Sequence, residues 1–260
     1  MKFADLLMQN AAERGLKYVF GLPGSGFPMD AMEAGRKAGV EFVHVSHESS
    51  AAIIAAYYGA GLDTAGLAIG VKGVGAGNMA GGIANVFFER MPVVCVFESG
   101  STESNVDLVQ VADHGAIFGS ITKSYNVLER STANDTLRDS IALATDGRNG
   151  PIVLDFPSNF DDGDCGELPV QPSRYVEASP DSDSLKRAQT LIDRSTRPLV
   201  VVGADVATTG ATEDLMTFVE AIGATVISNM DARGIFPESH PRCAGVMVGN
   251  YIPNTLEGEL

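Results

Sequence analysis

Three short stretches hold the residue types from which a polar site could be built. Phe20-Gly21-Leu22-Pro23-Gly24-Ser25-Gly26 closes a first apolar run. His47-Glu48 closes a second, and Gly73-Val74-Gly75-Ala76-Gly77-Asn78 follows a third. Glu48 is the informative acid. It stands where the run Phe42–Ser46 ends and an Ala-rich helical stretch begins, beside Ala51, Ala52, Ile53 and Ile54. In open α/β sheets, ligands bind outside the carboxyl ends of the strands. A carboxyl group in apolar company there is suited to sharing a proton with a ligand. An acid in a first helical turn also favours the helix macrodipole unaided. Residue type and position leave both roles open.

Other candidate chemistries are weaker. No G-x-x-x-x-G-K-[ST] loop is present. Gly75-Ala76-Gly77-Asn78-Met79-Ala80 fits a loose dinucleotide fingerprint, with Glu98 at the end of the next apolar run. The run before these glycines is the third of the series and not the first, however, and glycines there equally permit close backbone packing. His44, His47, His114 and His240 form no pair at metal-ligand spacing. His44 reads as a buried or half-buried strand residue. Asp164 sits in an acidic stretch with no strand before it, which argues against a metal–diphosphate role. No metal site is expected. Cys95, Cys165 and Cys243 are far apart without a C-x-x-C, as befits reduced thiols in a cytoplasm.

Charge narrows the partners. Lys and Arg total 18 against 33 Asp and Glu, a net charge of −15. This excludes the basic footprint of a nucleic-acid binder and a polybasic membrane surface. No apolar run approaches the roughly 20 residues that span a bilayer, and Met1-Lys2-Phe3-Ala4-Asp5 lacks a cleavable signal pattern.

The elements that must position these residues follow from periodicity. Helical spacing over 3–14, 27–37, 49–61, 78–90 and 133–146 alternates with short apolar runs at 18–20, 42–45, 67–71, 93–97, 122–128 and 152–155. The runs are near-continuous Val, Ile and Leu, which marks a parallel sheet covered on both faces. The reading is a doubly wound, six-stranded α/β domain over residues 1–157. Residues 158–183, with Pro169, Pro172 and Pro180 among many acids, form a linker. Residues 184–260 begin a second α/β domain, with runs at 199–202 and 225–227, that stays incomplete. Asn254 opens a helix start without a body, so the pattern is expected to continue in further sequence or in a separate chain.

Taken in order, these stretches resemble the pyrimidine-binding domain of thiamine diphosphate enzymes of the acetolactate synthase and 2-oxoacid decarboxylase type. That family carries VFGxPG after a first helix, HE before an Ala-rich helix, and GPGxxN opening the next helix. The matching text here is Val19-Phe20-Gly21-Leu22-Pro23-Gly24, then His47-Glu48 with Tyr57-Tyr58-Gly59-Ala60-Gly61, then Gly73-Val74-Gly75-Ala76-Gly77-Asn78. Met91-Pro92-Val93-Val94, Ile121-Thr122-Lys123 and Gly150-Pro151-Ile152-Val153-Leu154-Asp155-Phe156-Pro157 resemble later family strands. Arg197-Pro198-Leu199 and Gly234-Ile235-Phe236-Pro237 resemble the start of its central domain.

The resemblance implies that Glu48 is catalytic, hydrogen-bonding the aminopyrimidine ring of thiamine diphosphate and so promoting loss of the thiazolium proton. Pro23, Gly24, Gly73 and Asn78 would line the cofactor. Ser25, Val71, Lys72 and Gln110 would face a 2-oxo acid substrate, although an exposed lysine and a solvated amide are the plain alternatives for Lys72 and Gln110. His47 reads as a structural neighbour of the acid. The implied activity is decarboxylation or carboligation of a 2-oxo acid. The alternatives are a 2-hydroxyacyl-CoA lyase, or a non-catalytic nucleotide-binding or assembly subunit on the same fold. The family pattern is departed from at Ser49, where Gln is common, at Val74 in place of Pro, and at Lys72 in place of Ser. The family's GDG…N motif for Mg²⁺ and diphosphate is missing from this sequence. Mg²⁺ would therefore be held by a diphosphate-binding domain supplied by a missing C-terminal part or another subunit. FAD on the central domain is a further candidate. A homo-oligomer is expected, with Phe87, Phe88 and Met91 either at its interface or in the core.

Overall fold

The computed structural model describes residues 1–24, 26–101, 109–160, 165 and 179–247. Ser25, Asp164, most of the linker and the helix start at Asn254 lie outside them. The chain divides into two compact units, Met1–Val176 and Glu177–Leu260.

In the first unit the order is α1 (Phe3–Glu13), β1 (Tyr18–Gly21), α2 (Phe27–Ala38), β2 (Glu41–His44), α3 (Glu48–Ala60) and β3 (Gly66–Gly70). Then come α4 (Val74–Phe88), β4 (Val93–Ser99), α5 (His114–Phe118), β5 (Ser124–Val127), α6 (Ala133–Thr145) and β6 (Pro151–Pro157). The six strands form one sheet in the order β2-β1-β3-β4-β6-β5, and every pairing is parallel. The six-stranded α/β sheet expected from the sequence is thus present. α5 was not expected.

Both faces of this sheet are covered, and alternation along each strand divides the core in two. Val94 and Val96 of β4 join Phe3, Leu7, Phe27 and Leu137, from α1, α2 and α6. Val93, Cys95 and Phe97 of the same strand join Ala52, Ala55, Met79, Ile83 and Phe118, from α3, α4 and α5. Small residues let α3 and α4 approach closely. A Cβ on Gly82 would lie 2.3 Å from the Ser49 carbonyl oxygen.

The chain leaves β1 toward β2 on one side and returns to β3 on the other. β1 pairs with both, Gly21 lying opposite His44 and Ile69. This reversal of strand order opens a crevice at the carboxyl ends. His44 is exposed there, not buried or half-buried as expected, because it ends an edge strand.

The second unit holds α7 (Ser182–Asp193), β7 (Leu199–Val202), α8 (Asp205–Thr208), α9 (Thr212–Ile222), β8 (Thr225–Ser228) and β9 (Cys243–Val246). Its three strands are parallel in the order β7-β8-β9. β9 adds a strand to the two read from the sequence, which its Gly and Ala content concealed. Asp181 caps α7, accepting from the Asp183 and Ser184 amides.

Candidate active site

The acid comes first. β2 delivers the chain to His47, whose Nδ1 accepts from the Ser49 amide at 3.2 Å and caps α3. His47 is therefore a structural neighbour that fixes where the helix starts. Glu48 is the first residue of α3 and is 4% exposed. The Asn78 side-chain amide donates to Glu48 Oε2 at 3.2 Å. Oε1 would lie 3.5 Å from a Cβ on Gly75, an ordinary contact, so the first turn of α4 lies directly beside the carboxyl group. Ser49 ties the same two helices together. Its hydroxyl donates to the Asn78 carbonyl at 2.5 Å and accepts from the Gly82 amide at 3.2 Å.

Val71 joins the three loops. A Cβ on Gly24 would come within 2.9 Å of Val71 Cγ1, and one on Gly75 within 2.6 Å of Val71 Cγ2. Gly24, Val71, Gly75, Glu48 and Asn78 therefore form one cluster, with Pro23 next in chain to Gly24 and half-buried.

Lys72 is neither an exposed lysine nor an unopposed cation for substrate. It is half-buried and its Nζ lies 3.1 Å from Glu98 Oε1, each side chain 17% exposed. Glu98 in turn lies under Gly26, where a Cβ would sit 2.7 Å from Oε2. The acid that completed a loose dinucleotide fingerprint is thus engaged by Lys72.

Gly73 occupies the left-handed region at φ 61°, and a Cβ there would be 2.1 Å from the Gln110 carbonyl oxygen. Gln110 is itself left-handed, at φ 57°, and exposed. The structure thus brings the Gln110 backbone against Gly73.

His114 escaped the sequence reading, which weighed it only as a metal ligand. It is 2% exposed, accepts from the Gly73 amide through Nε2 at 3.1 Å, and meets Asp155 through Nδ1. Asp113, the residue just before it and a helix-capping type, was the available signal, and it does cap α5 at the Ala116 amide.

Among the described residues, no group of three His, Cys, Asp or Glu is placed to hold a metal ion. No helix among them is long and apolar enough to cross a membrane. In the second unit, a cavity of about 490 Å³ beside β9 is lined by Met230, Arg233, Glu238 and Cys243–Val246.

The chain is similar to known proteins along most of its length. Residues 1–117 match the family model for the thiamine pyrophosphate enzyme N-terminal TPP binding domain, and residues 185–256 match that for the thiamine pyrophosphate enzyme central domain. A protein of Methanocaldococcus jannaschii named "Probable acetolactate synthase large subunit" is 29% identical, over 96% of this chain and 44% of that protein. The acetolactate synthase of Mycobacterium bovis is 30% identical, over 94% of this chain and 40% of its own length. The acetolactate synthase isozyme 3 large subunit of Escherichia coli is 28% identical, over 96% and 46%. The chain spans less than half the length of these curated relatives. Two family models in sequence order, on a parallel sheet with a buried Glu48 at its switch point, have one reading: the chain belongs to the thiamine pyrophosphate enzyme family and carries that family's N-terminal and central domains.

Proposed function

We propose that this chain supplies the pyrimidine-binding wall of a thiamine diphosphate-dependent enzyme that decarboxylates a 2-oxo acid and joins the product to a second carbonyl, as the names of its relatives suggest. The observation that carries the reading is Glu48, 4% exposed at the switch point and held by Asn78. The residues present suit the pyrimidine end of the cofactor. The carboxyl group lies beside Gly75, and Val71 packs so closely on Gly24 and Gly75 that a Cβ on either would strike it. A ring with a hydrogen-bonding nitrogen fits such a wall.

When bound, the cofactor supplies a nucleophilic carbon and a sink for the electrons released by decarboxylation. The chain's own part is to hold and position. Glu48 shares a proton at its carboxylate with the ring nitrogen. The Asn78 amide fixes the orientation of that carboxylate by donating to Oε2. Val71 and the glycines exclude water from it. Lys72 and Glu98 neutralise each other nearby, so this wall presents no net charge from the pair to a substrate. Mg²⁺ and the diphosphate would be held by a diphosphate-binding domain, and the exposed Ile54, Tyr57, Val74 and Phe88 of α3 and α4 suit an oligomer interface.

The test is Glu48→Gln in the assembled enzyme with its diphosphate-binding domain. Gln keeps the shape and accepts from Asn78 but cannot hold a shared proton. Turnover should fall by about 100- to 10,000-fold. Exchange of the thiazolium proton with deuterated water, read by NMR after acid quench, should slow in parallel. Exchange at the parent rate would show that another acid serves the cofactor.

A further inference from the structure

Beneath the third loop runs a chain of buried polar groups that the reading of Glu48 leaves without a task. The Gly73 amide donates to His114 Nε2 at 3.1 Å. His114 Nδ1 lies 3.0 and 2.9 Å from the two carboxylate oxygens of Asp155, and the Tyr125 hydroxyl donates to Asp155 Oδ2 at 2.7 Å. A backbone N–H can only donate. Nε2 therefore presents its lone pair, and the ring proton sits on Nδ1, facing the carboxylate.

Polar groups this deep cost free energy unless every one is partnered. His114 is 2% and Asp155 1% exposed, and each polar atom of the chain meets one of the opposite kind. Phe97 and Phe118 hold the imidazole edge-on, with ring centroids 5.8 and 6.0 Å away. Burial, and then Asp155, push the pKa of the Tyr125 hydroxyl up, which keeps it a donor.

The chain ends at the loop residue with the least freedom. Gly73 is left-handed and closed in by Gln110. Before it come Val71 and Lys72. After it come Gly75 and Asn78, the two residues of α4 that meet Glu48. Whatever fixes the Gly73 amide fixes the start of α4 against the acid.

We propose that His114 is a positioning residue for the Glu48 site: backed by Asp155 and Tyr125, it anchors the Gly73 amide and so keeps Gly75 packed on Glu48 and Asn78 hydrogen-bonded to it. The proposal deepens, and rests on, the reading of Glu48 as the cofactor-facing acid.

The experiment is amide exchange and side-chain NMR on the 260-residue chain itself. His114→Phe keeps the ring contacts and removes the acceptor. His114→Gln returns an oxygen that can accept from Gly73. In His114→Phe, exchange at the Gly73 amide should rise about three- to tenfold, the range of one lost hydrogen bond. The Asn78 side-chain amide signals should move toward those of Glu48→Ala, where their acceptor is gone. Amides of β4 should not change. His114→Gln should restore both signals toward the parent. Tyr125→Phe, a milder change that keeps the packing, should raise Gly73 exchange about twofold. Equal Gly73 exchange in parent, His114→Phe and Tyr125→Phe would overturn the proposal, as would a His114→Gln chain no closer to the parent than His114→Phe. None of these signals needs the cofactor. Failure of positioning and failure of the Glu48 reading, which only Glu48→Gln in the assembled enzyme tests, are therefore told apart.

Discussion

In the first unit β3 and β6 are buried along their whole length, and β4 for all but its last two residues. In the second unit β7 is another Val-rich run, Leu-Val-Val-Val, yet Leu199 is 42% and Val201 55% exposed. α7, next to it in sequence, has no buried residue, and Leu191 is 72% exposed. The strands are alike in composition. They differ in cover: helices pack on both faces of the first sheet, while the second unit's own buried core is Val202, Val219, Val226, Ala232 and Phe236. A continuous apolar run announces a parallel strand, but only packed layers decide how much of it leaves water.

The sharpest way to break this comparison is to shorten one strand residue in each sheet. Leu154→Ala in β6 should cost about 2–5 kcal/mol, because the lost transfer energy is joined by a cavity in close packing. Val201→Ala in β7 should stay within about 0.5 kcal/mol, as exposed substitutions do. Urea titration read by peptide-resolved hydrogen exchange separates the units. Similar costs at both positions would mean that cover does not distinguish the sheets.

The loops after corresponding strands sharpen it further. Gly73 after β3 is left-handed, and its Cβ would strike a carbonyl oxygen. Gly203 after β7 is not left-handed, and its Cβ would meet nothing nearer than Asn229 Nδ2 at 3.9 Å. Gly73→Ala should lose about 1–3 kcal/mol from backbone strain alone, and more if the loop cannot yield. Gly203→Ala should be neutral or slightly stabilising, since it restricts the unfolded chain. Thermal denaturation of the two variants decides the matter. Equal losses would remove the claim that the first loop is the constrained one.

Surface contact gives the smallest effect. Phe88 and Leu191 are each 72% exposed, but Phe88 lies on α4, which also carries the exposed Val74 and is tied to α3 with its exposed Ile54 and Tyr57. Phe88→Ser should weaken self-association about fivefold, the effect of roughly 1 kcal/mol at an interface. Leu191→Ser should leave it alone. Light scattering over a concentration series reads both, and a parent chain monomeric throughout would discard the interface. Phe87 and Met91 are half-buried, and Met91 packs on the core, so of the three residues weighed in the sequence only Phe88 is a surface group.

Much of the fold was legible because it is local. Runs of Val and Ile, helical spacing and turn glycines place the six strands and five of the six α-helices among the described residues of the first unit within a few residues. α5 was missed because five residues carry too little periodicity to register. β9 was missed because Cys-Ala-Gly-Val has no apolar run. Of the candidate site, Glu48 was legible because its place at a strand-to-helix junction is a matter of neighbours in sequence. The state of Lys72 was not: the reading of an exposed lysine gave way to an ion pair across two strand ends.

The sequence by itself determined the alternation of strands and helices, the acid at the head of α3 and the glycine loops, because each depends on residues within a few positions of one another. The tertiary structure alone decided the strand order, the Asn78 amide on Glu48, the pairing of Lys72 with Glu98, and the chain from Gly73 through His114 and Asp155 to Tyr125. These partners stand 26 to 41 residues apart. No periodicity reaches that far. Their meeting follows from the crossovers that bring β3, β4 and β6 side by side, and from the cost of leaving any buried polar group unpaired.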